Sequence, residues 1–245
     1  MRQARTAVVT GAASGIGRAT ALRLQREGFD VIGVDQDANG LAELERHGMR
    51  TLTADLAVDR ERDTVVAEGA GAAALVNAAA IIELKPILEI AIDDIRTTYA
   101  VNVEAVWDLT SRIGRTMPTG GAIVNVSSNA AKHPTFVDAA VYASSKAAVL
   151  SITRSFAYAF APTVRVNAIC PGAIDTPRRT AILAERAAAE GLDPAALGSE
   201  RASNVPLQRV ASSDECAGAI WFLLSDAAAY MTAQTINFDG GLITW

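Results

Sequence analysis

Cysteine and histidine are scarce, with two of each in 245 residues. Cys170 and Cys216 pair only by count. With no other Cys or His clustered nearby they make neither a disulfide framework nor a zinc site, so no metal is expected. His47 and His133 read as surface or loop residues. Basic excess is also absent: 22 Lys and Arg against 27 Asp and Glu leave a net charge of −5, which offers no footprint for nucleic acid or an anionic membrane. No apolar run reaches the length of a membrane span, because Glu68, Asn77 and Asp226 interrupt the longest ones. The opening "TAVVTGAASGIG" runs straight into glycines instead of the layout of a signal peptide, so a cytoplasmic protein is expected. Aromatic residues make up only 5%, and Trp107, Trp221 and Trp245 read as core or subunit contacts, not as substrate stacks.

What is present is apolar and regular. Half the residues are hydrophobic, and the length suits one large α/β domain over 1–245. Short apolar runs at 6–10, 30–34, 50–54, 73–77, 122–128, 164–170 and 234–238 read as seven strands. Most are apolar on both faces, as parallel strands covered by helices are. Helical patterns fall between them near 15–27, 38–47, 57–68, 92–117, 139–161 and 213–225. The alternation predicts a single Rossmann-type, doubly wound domain with a seven-stranded parallel sheet. One long interruption, 176–210, carries helix-like pieces and clustered charge beside the strand ends, and reads as a substrate-binding lid.

Two stretches carry chemistry. "TGAASGIG" (10–17) follows the first strand and opens a helix. Its glycines, Gly11, Gly15 and Gly17, would let backbone approach a pyrophosphate at a helix N-terminus. About twenty residues on, Asp35 ends the second strand, where a carboxylate would accept hydrogen bonds from a ribose 2′-hydroxyl and repel a 2′-phosphate. No basic residue in 12–14 offsets that repulsion, so NAD is favoured over NADP. The second stretch is "YASSK" (142–146). On a helix, Tyr142 and Lys146 share a face one turn apart. A lysine there would stabilise phenolate and bring a phenol of ordinary pKa near 10 toward a working base.

With T-G-x-x-x-G-x-G at the start and Y-x-x-x-K at 142–146, the chain resembles the short-chain dehydrogenase/reductase family over essentially its whole length. "ADL" (54–56), "VNAAA" (76–80), Asn102 in "YAVNVEA", "IVNVSS" (123–128), "PGAIDT" (171–176) and "DGG" (239–241) add to the match. The resemblance implies Tyr142 as catalytic acid/base, Lys146 holding the nicotinamide ribose, Ser128 orienting the substrate oxygen and Asn102 supporting a proton-relay water. It implies NAD contacts at Gly11, Ser14, Gly15, Ile16 and Gly17, with Asp35 on the ribose and Asp55 and Leu56 beside the adenine. Asn77 would wall that pocket, and Ile174 and Thr176 would contact the carboxamide. A homotetramer joined through the two long middle helices and the apolar tail "LITW" (242–245) is also implied.

Two departures stand out. Ala80 takes a position that is often glycine, so backbone there must accept a Cβ. Ser128 lies fourteen residues before Tyr142 where thirteen is usual. One extra loop residue between 129 and 141 accounts for this, while Ser127 stays open as the serine. The longer loop and "CPGAIDTP" resemble the branch that includes cytosolic 3-hydroxybutyrate dehydrogenase. The expected reaction is NAD(H)-dependent hydride transfer with a small secondary alcohol or ketone: a hydroxy acid, polyol, sugar or cyclic diol. Arg178 and Arg179, just after "PGAIDT", could hold a carboxylate or could be solvated charges. Asp138 in "FVDAAV" leaves neutral substrates open. An NADPH-linked 3-oxoacyl-carrier reductase and a non-catalytic dinucleotide-binding scaffold remain as alternatives.

Overall fold

A computed structural model of the chain describes residues 5–133 and 137–245. Residues 134–136, within the loop where the sequence places its extra residue, lie outside the described residues. Seven parallel strands form one sheet: β1 (Arg5–Thr10), β2 (Phe29–Asp35), β3 (Arg50–Thr53), β4 (Ala74–Asn77), β5 (Gly121–Val126), β6 (Val164–Pro171) and β9 (Thr235–Phe238). Their order is β3-β2-β1-β4-β5-β6-β9. Chain direction across the sheet reverses between β1 and β4, and the crevice at such a reversal opens at the carboxyl ends of the strands.

Strand register explains the two cores. Val8, Leu75, Ile123 and Val166 stand side by side across β1, β4, β5 and β6. All four are buried, against Leu109 and Ile113 of α5 (Ala105–Gly114) and Val149 and Phe156 of α6 (Ala140–Phe160). One residue on, Val9, Val76 and Val124 point the other way. They meet Leu24 of α1 (Gly15–Arg26), Leu44 of α2 (Ala38–Arg46) and Ile220 of α9 (Ser213–Leu224). The two-residue period of a strand thus becomes a three-layer sandwich. No helix among the described residues is long and apolar enough to cross a membrane.

The pattern expected as one helix over 92–117 is broken. It runs as α4 (Ile92–Tyr99), a π-helical turn at Ala100–Glu104 and then α5. The cause is Asn102, fully buried in the turn. Its amide donates to the Ile81 carbonyl and accepts from the Ile81 N–H, each at 2.9 Å, and also donates to Ser145 Oγ. Binding a neighbouring backbone segment in this way goes with the widened turn, a frequent feature of functional sites. The fifth strand ends at Val126, two residues earlier than expected, because Ser128 turns away to cap a short 3₁₀ helix at Asn129–Ala131.

The interruption after β6 is ordered by capping. A two-residue strand, β7 (Ile174–Asp175), pairs in parallel with β8 (Ala211–Ser212). Between them, α7 (Pro177–Glu190) starts at Thr176, whose hydroxyl accepts from the Arg179 N–H, with Pro177 in the first turn. Asp193 caps α8 (Pro194–Ser203) in the same manner. Leu183, Ala187 and Leu197 close the two helices on each other. α3 (Asp59–Glu68) completes the helix set, packed on α5.

Candidate active site

A cleft of about 740 Å³ lies over the carboxyl ends of the strands. At its first wall the chain turns from β1 into α1. Gly11 has φ +68, and a Cβ there would lie 2.8 Å from Ala79 N. At Gly17 a Cβ would sit 2.0 Å from the Gly11 carbonyl oxygen, so helix and turn touch only because both positions are glycine. Ser14, the N-cap of α1, makes no side-chain hydrogen bond to the first turn, which leaves N–H groups there for an anion. Ser14, Gly15, Ile16 and Gly17 all line the cleft.

Asp35, at the end of β2, is held by two backbone donors. Its Oδ2 accepts from Ala13 N–H and its Oδ1 from Asp37 N–H, each at 3.0 Å. The glycine turn and the acid thus form one rigid corner. Asp55 and Leu56 line the same end. They are fixed from α3, where Glu61 accepts from the Asp55 N–H and the buried Arg62 donates to the Leu56 carbonyl at 2.6 Å. The basic residues lining the cleft are Lys146, Arg178, Arg179 and Arg201, carried by α6, α7 and α8 and not by the corner that holds Asp35.

Ser128, Tyr142, Lys146, Ile174 and Thr176 meet at the other end. The Ser128 hydroxyl accepts from the Ala130 N–H at 3.1 Å and lines the same cleft wall as the Tyr142 phenol, near enough to favour the phenolate. Ser127, the alternative serine, instead donates to the Lys146 carbonyl at 2.8 Å and sits nearly enclosed. The serine beside the phenol is therefore Ser128, despite the fourteen-residue separation. Ala80 lines the cleft with φ outside the left-handed region, so its Cβ is accommodated.

Electrostatics differs from the sequence expectation. Burial pushes the Tyr142 phenol above its ordinary value, while the Ser128 hydroxyl and the Arg178 charge pull against that rise. Lys146 is itself buried. Its ammonium is lowered to about 8 by desolvation first and by Arg178 second. Nζ donates to the Val126 carbonyl at 2.8 Å and stands 5.8 Å from the centre of the Tyr142 ring. The lysine is thus anchored to the strand end, and in this geometry desolvation outweighs any help it gives the phenolate.

Two expected site residues do not line the cleft. Asn77 is buried beneath it, donating to Thr110 Oγ1 and to Asn125 Oδ1. Asn102 lies behind Tyr142, joining Ile81 backbone to Ser145, whose hydroxyl donates to the Tyr142 carbonyl. Sequence reasoning also missed lining residues. Asn129 borders both Ser128 and Tyr142 in the cavity wall; Asn204, Val205 and Leu242 arrive from distant segments with no motif to mark them.

A family model described as enoyl-(acyl carrier protein) reductase matches residues 11–243. L-xylulose reductase of Cavia porcellus is 33% identical over 98% of this chain and 96% of its own length. A short-chain dehydrogenase/reductase from Brucella melitensis, described as a glucose/ribitol dehydrogenase, superposes with a TM-score of 0.89 at 31% identity, covering 98% of this chain and 97% of that one. An actinorhodin polyketide ketoreductase solved with NADPH gives 0.90 at 29% identity, covering 99% and 98%. The chain belongs to the short-chain dehydrogenase/reductase family and is an oxidoreductase acting on the CH–OH group of secondary alcohols.

Proposed function

We propose that the cleft binds NAD(H) and interconverts a small secondary alcohol and its ketone. The observation that carries this reading is that Ser128, Tyr142 and Lys146 line one end of a single cleft, with Tyr142 and Lys146 one helical turn apart, while a glycine turn opens the other end and Asp35 closes its corner. The residues present suit the cofactor. Gly11 and Gly17 keep the turn free of Cβ atoms, the first turn of α1 offers N–H groups to a pyrophosphate, and Asp35 offers oxygens to ribose hydroxyls. When bound, the nicotinamide supplies the hydride donor or acceptor.

The protein supplies the rest. Tyr142, whose phenol burial pushes above its ordinary value, donates the proton that the carbonyl oxygen needs in reduction. In oxidation it must accept that proton, and Arg178 and Ser128 favour the phenolate. Ser128 orients the reacting oxygen, as one member of a polarising pair with the phenol. Lys146 would hold the nicotinamide ribose. Asn102 acts through Ile81 and Ser145 to fix the backbone beside the tyrosine. The segment 176–210 would close over the substrate, with Ile182 and Leu183 of α7 supplying apolar wall. A homotetramer through α5, α6 and the C-terminal segment is part of the same reading, supported by the exposed Trp107, Tyr158 and Trp245.

The name of the Cavia porcellus relative and the description of the Brucella melitensis one favour polyols and sugars as substrates. The NADPH-bound ketoreductase favours the second reading, an NADPH-linked reductase of acyl-type ketones. Asp35 supports the first reading. A 2′-phosphate beside its carboxylate would meet like charge with no lining cation at that corner. The test is kcat/KM with each cofactor on a panel of polyols, sugars and hydroxy acids, in wild type and in Asp35→Ala. NAD preference in wild type, falling at least ~10-fold in the variant, supports the assignment. Wild-type preference for NADP refutes it.

A further inference from the structure

Of the basic residues that line the cleft, three are directed elsewhere. Lys146 donates to the Val126 carbonyl. Arg201 feels the charges of Glu190, Asp138 and Glu200. Arg179 turns toward α8, where a Cβ on Gly198 would lie 3.9 Å from its Nη2. Arg178 is the exception: it is exposed, and among the described residues it makes no hydrogen bond and no ion pair. Its place on the helix is unfavourable as well. Arg178 lies in the first turn of α7, which holds no acidic residue, and a cation there opposes the partial positive charge of the helix N-terminus. The fold gives this charge no partner, so an anion entering the cleft would be its first.

Two observations place that anion. The root of α7 touches the glycine turn: a Cβ on Gly15 would lie 3.1 Å from Thr176 Cγ2, and Thr176 caps the helix two residues before Arg178. The Arg178 charge also bears on both Tyr142 and Lys146. Arg178 thus stands between the turn that offers N–H groups to a pyrophosphate and the reacting end. The acids lining the cleft, Asp35, Asp37 and Asp55, stand at or just past the ends of β2 and β3, and none pairs with it. Further along α7, Ile182 and Leu183 line the cleft, so the lid is charged at its root and apolar beyond it.

We infer that Arg178 pairs with the pyrophosphate of the bound dinucleotide, so that the first turns of α1 and α7 hold it from two sides and cofactor binding draws in the root of the lid. The inference rests on the proposed reading of the cleft as a dinucleotide site and deepens it. A guanidinium suits the task, because its planar fork meets two phosphate oxygens at once through charge-assisted hydrogen bonds. The pairing assigns Arg178 to the cofactor and withholds it from a substrate carboxylate.

The test is binding, not turnover. Dissociation constants are measured for NADH by its fluorescence, and for ADP-ribose and adenosine by titration calorimetry. ADP-ribose carries the pyrophosphate without the nicotinamide or a 2′-phosphate, so that arm is independent of the choice between NAD and NADP. Adenosine lacks the pyrophosphate altogether. Arg178→Ala should weaken NADH and ADP-ribose at least ~10-fold and leave adenosine unchanged. Arg178→Lys, which keeps the charge and loses the fork, should recover part of that loss. Arg179→Ala should move either constant less than ~3-fold. Added salt should narrow the gap between wild type and Arg178→Ala, because the pair lies at an exposed edge. The cofactor-free Arg178→Ala protein should melt no lower than wild type, since α7 loses an opposing charge. Equal constants for NADH and ADP-ribose in wild type and Arg178→Ala, or an equal loss for adenosine, overturn the assignment. Unchanged constants joined to a lost preference for a hydroxy acid over its amide would give the guanidinium to the substrate instead. Failure of the underlying reading looks different: wild type itself would then bind ADP-ribose no more tightly than adenosine, which overturns both.

Discussion

Lys146→Met should make the protein more stable while removing its activity. A free lysine titrates at 10.5, and in the fold this one is lowered to about 8, chiefly because it is 2% exposed. At about 1.4 kcal/mol per pKa unit, keeping that ammonium charged at neutral pH costs the fold about 3 kcal/mol. Methionine fills a similar volume without charge, but it leaves the Val126 carbonyl, now 2.8 Å from Nζ, without its donor. That loss returns about 1 kcal/mol. The net gain is about 2 kcal/mol, or roughly 4–8 °C in Tm for a chain of this size. The sign with pH follows from the lowered value. The cost is fully present below about 8, where both states are protonated, and is relieved as pH climbs toward 10.5, where the unfolded chain alone keeps its proton. Urea unfolding of the cofactor-free protein and its variant should therefore show a gap that is widest at pH 7 and narrows above pH 8. A variant less stable than wild type at pH 7, or a gap indifferent to pH, refutes the reasoning.

Two further perturbations test the scaffold. Gly17→Ala should destabilise the fold by about 3 kcal/mol and abolish cofactor protection against thermal unfolding, since the new methyl would overlap the Gly11 carbonyl; an alanine variant with normal Tm and cofactor affinity would remove the tight turn from the account. Arg165→Ala should cost about 2–4 kcal/mol in urea unfolding, because the guanidinium donates to the carbonyls of Leu223 and Leu224 in the last turn of α9 and of Ser225 and Met231 beyond it; loss below about 0.5 kcal/mol would show that water replaces it freely.

The fold was legible because parallel strands announce themselves. "TAVVT", "AALVN" and "AIVNV" are apolar on both faces, and each strand lies within a residue or two of its apolar run, with the fifth ending furthest from the expected boundary. The helix over 92–117 was not legible as three pieces. Periodicity records which side is apolar, and the π-helical turn arises from a tertiary contact of Asn102 with Ile81, seventy-odd ångström of extended chain away in sequence terms yet adjacent in space. At the site, Gly11, Asp35 and Tyr142 were readable because turn geometry and helical spacing are local. Lys146 shows the limit: its spacing from Tyr142 is local, but its anchor on the Val126 carbonyl comes from β5, and the phenol's own burial, which raises its pKa, is a property of the fold. Asn129, Asn204 and Leu242 carry no local pattern, and only the fold brings them to one cavity.

The central claim is that the Tyr142 phenol moves the proton when hydride is transferred. Tyr142→Phe removes one oxygen and leaves the ring, the Lys146 anchor on Val126 and the glycine turn in place. The measurement is NAD-linked alcohol oxidation by wild type and variant across pH, with cofactor affinity measured in parallel. The account predicts a loss of at least ~10²-fold in kcat with cofactor affinity unchanged. A variant that turns over at near wild-type rate would contradict it.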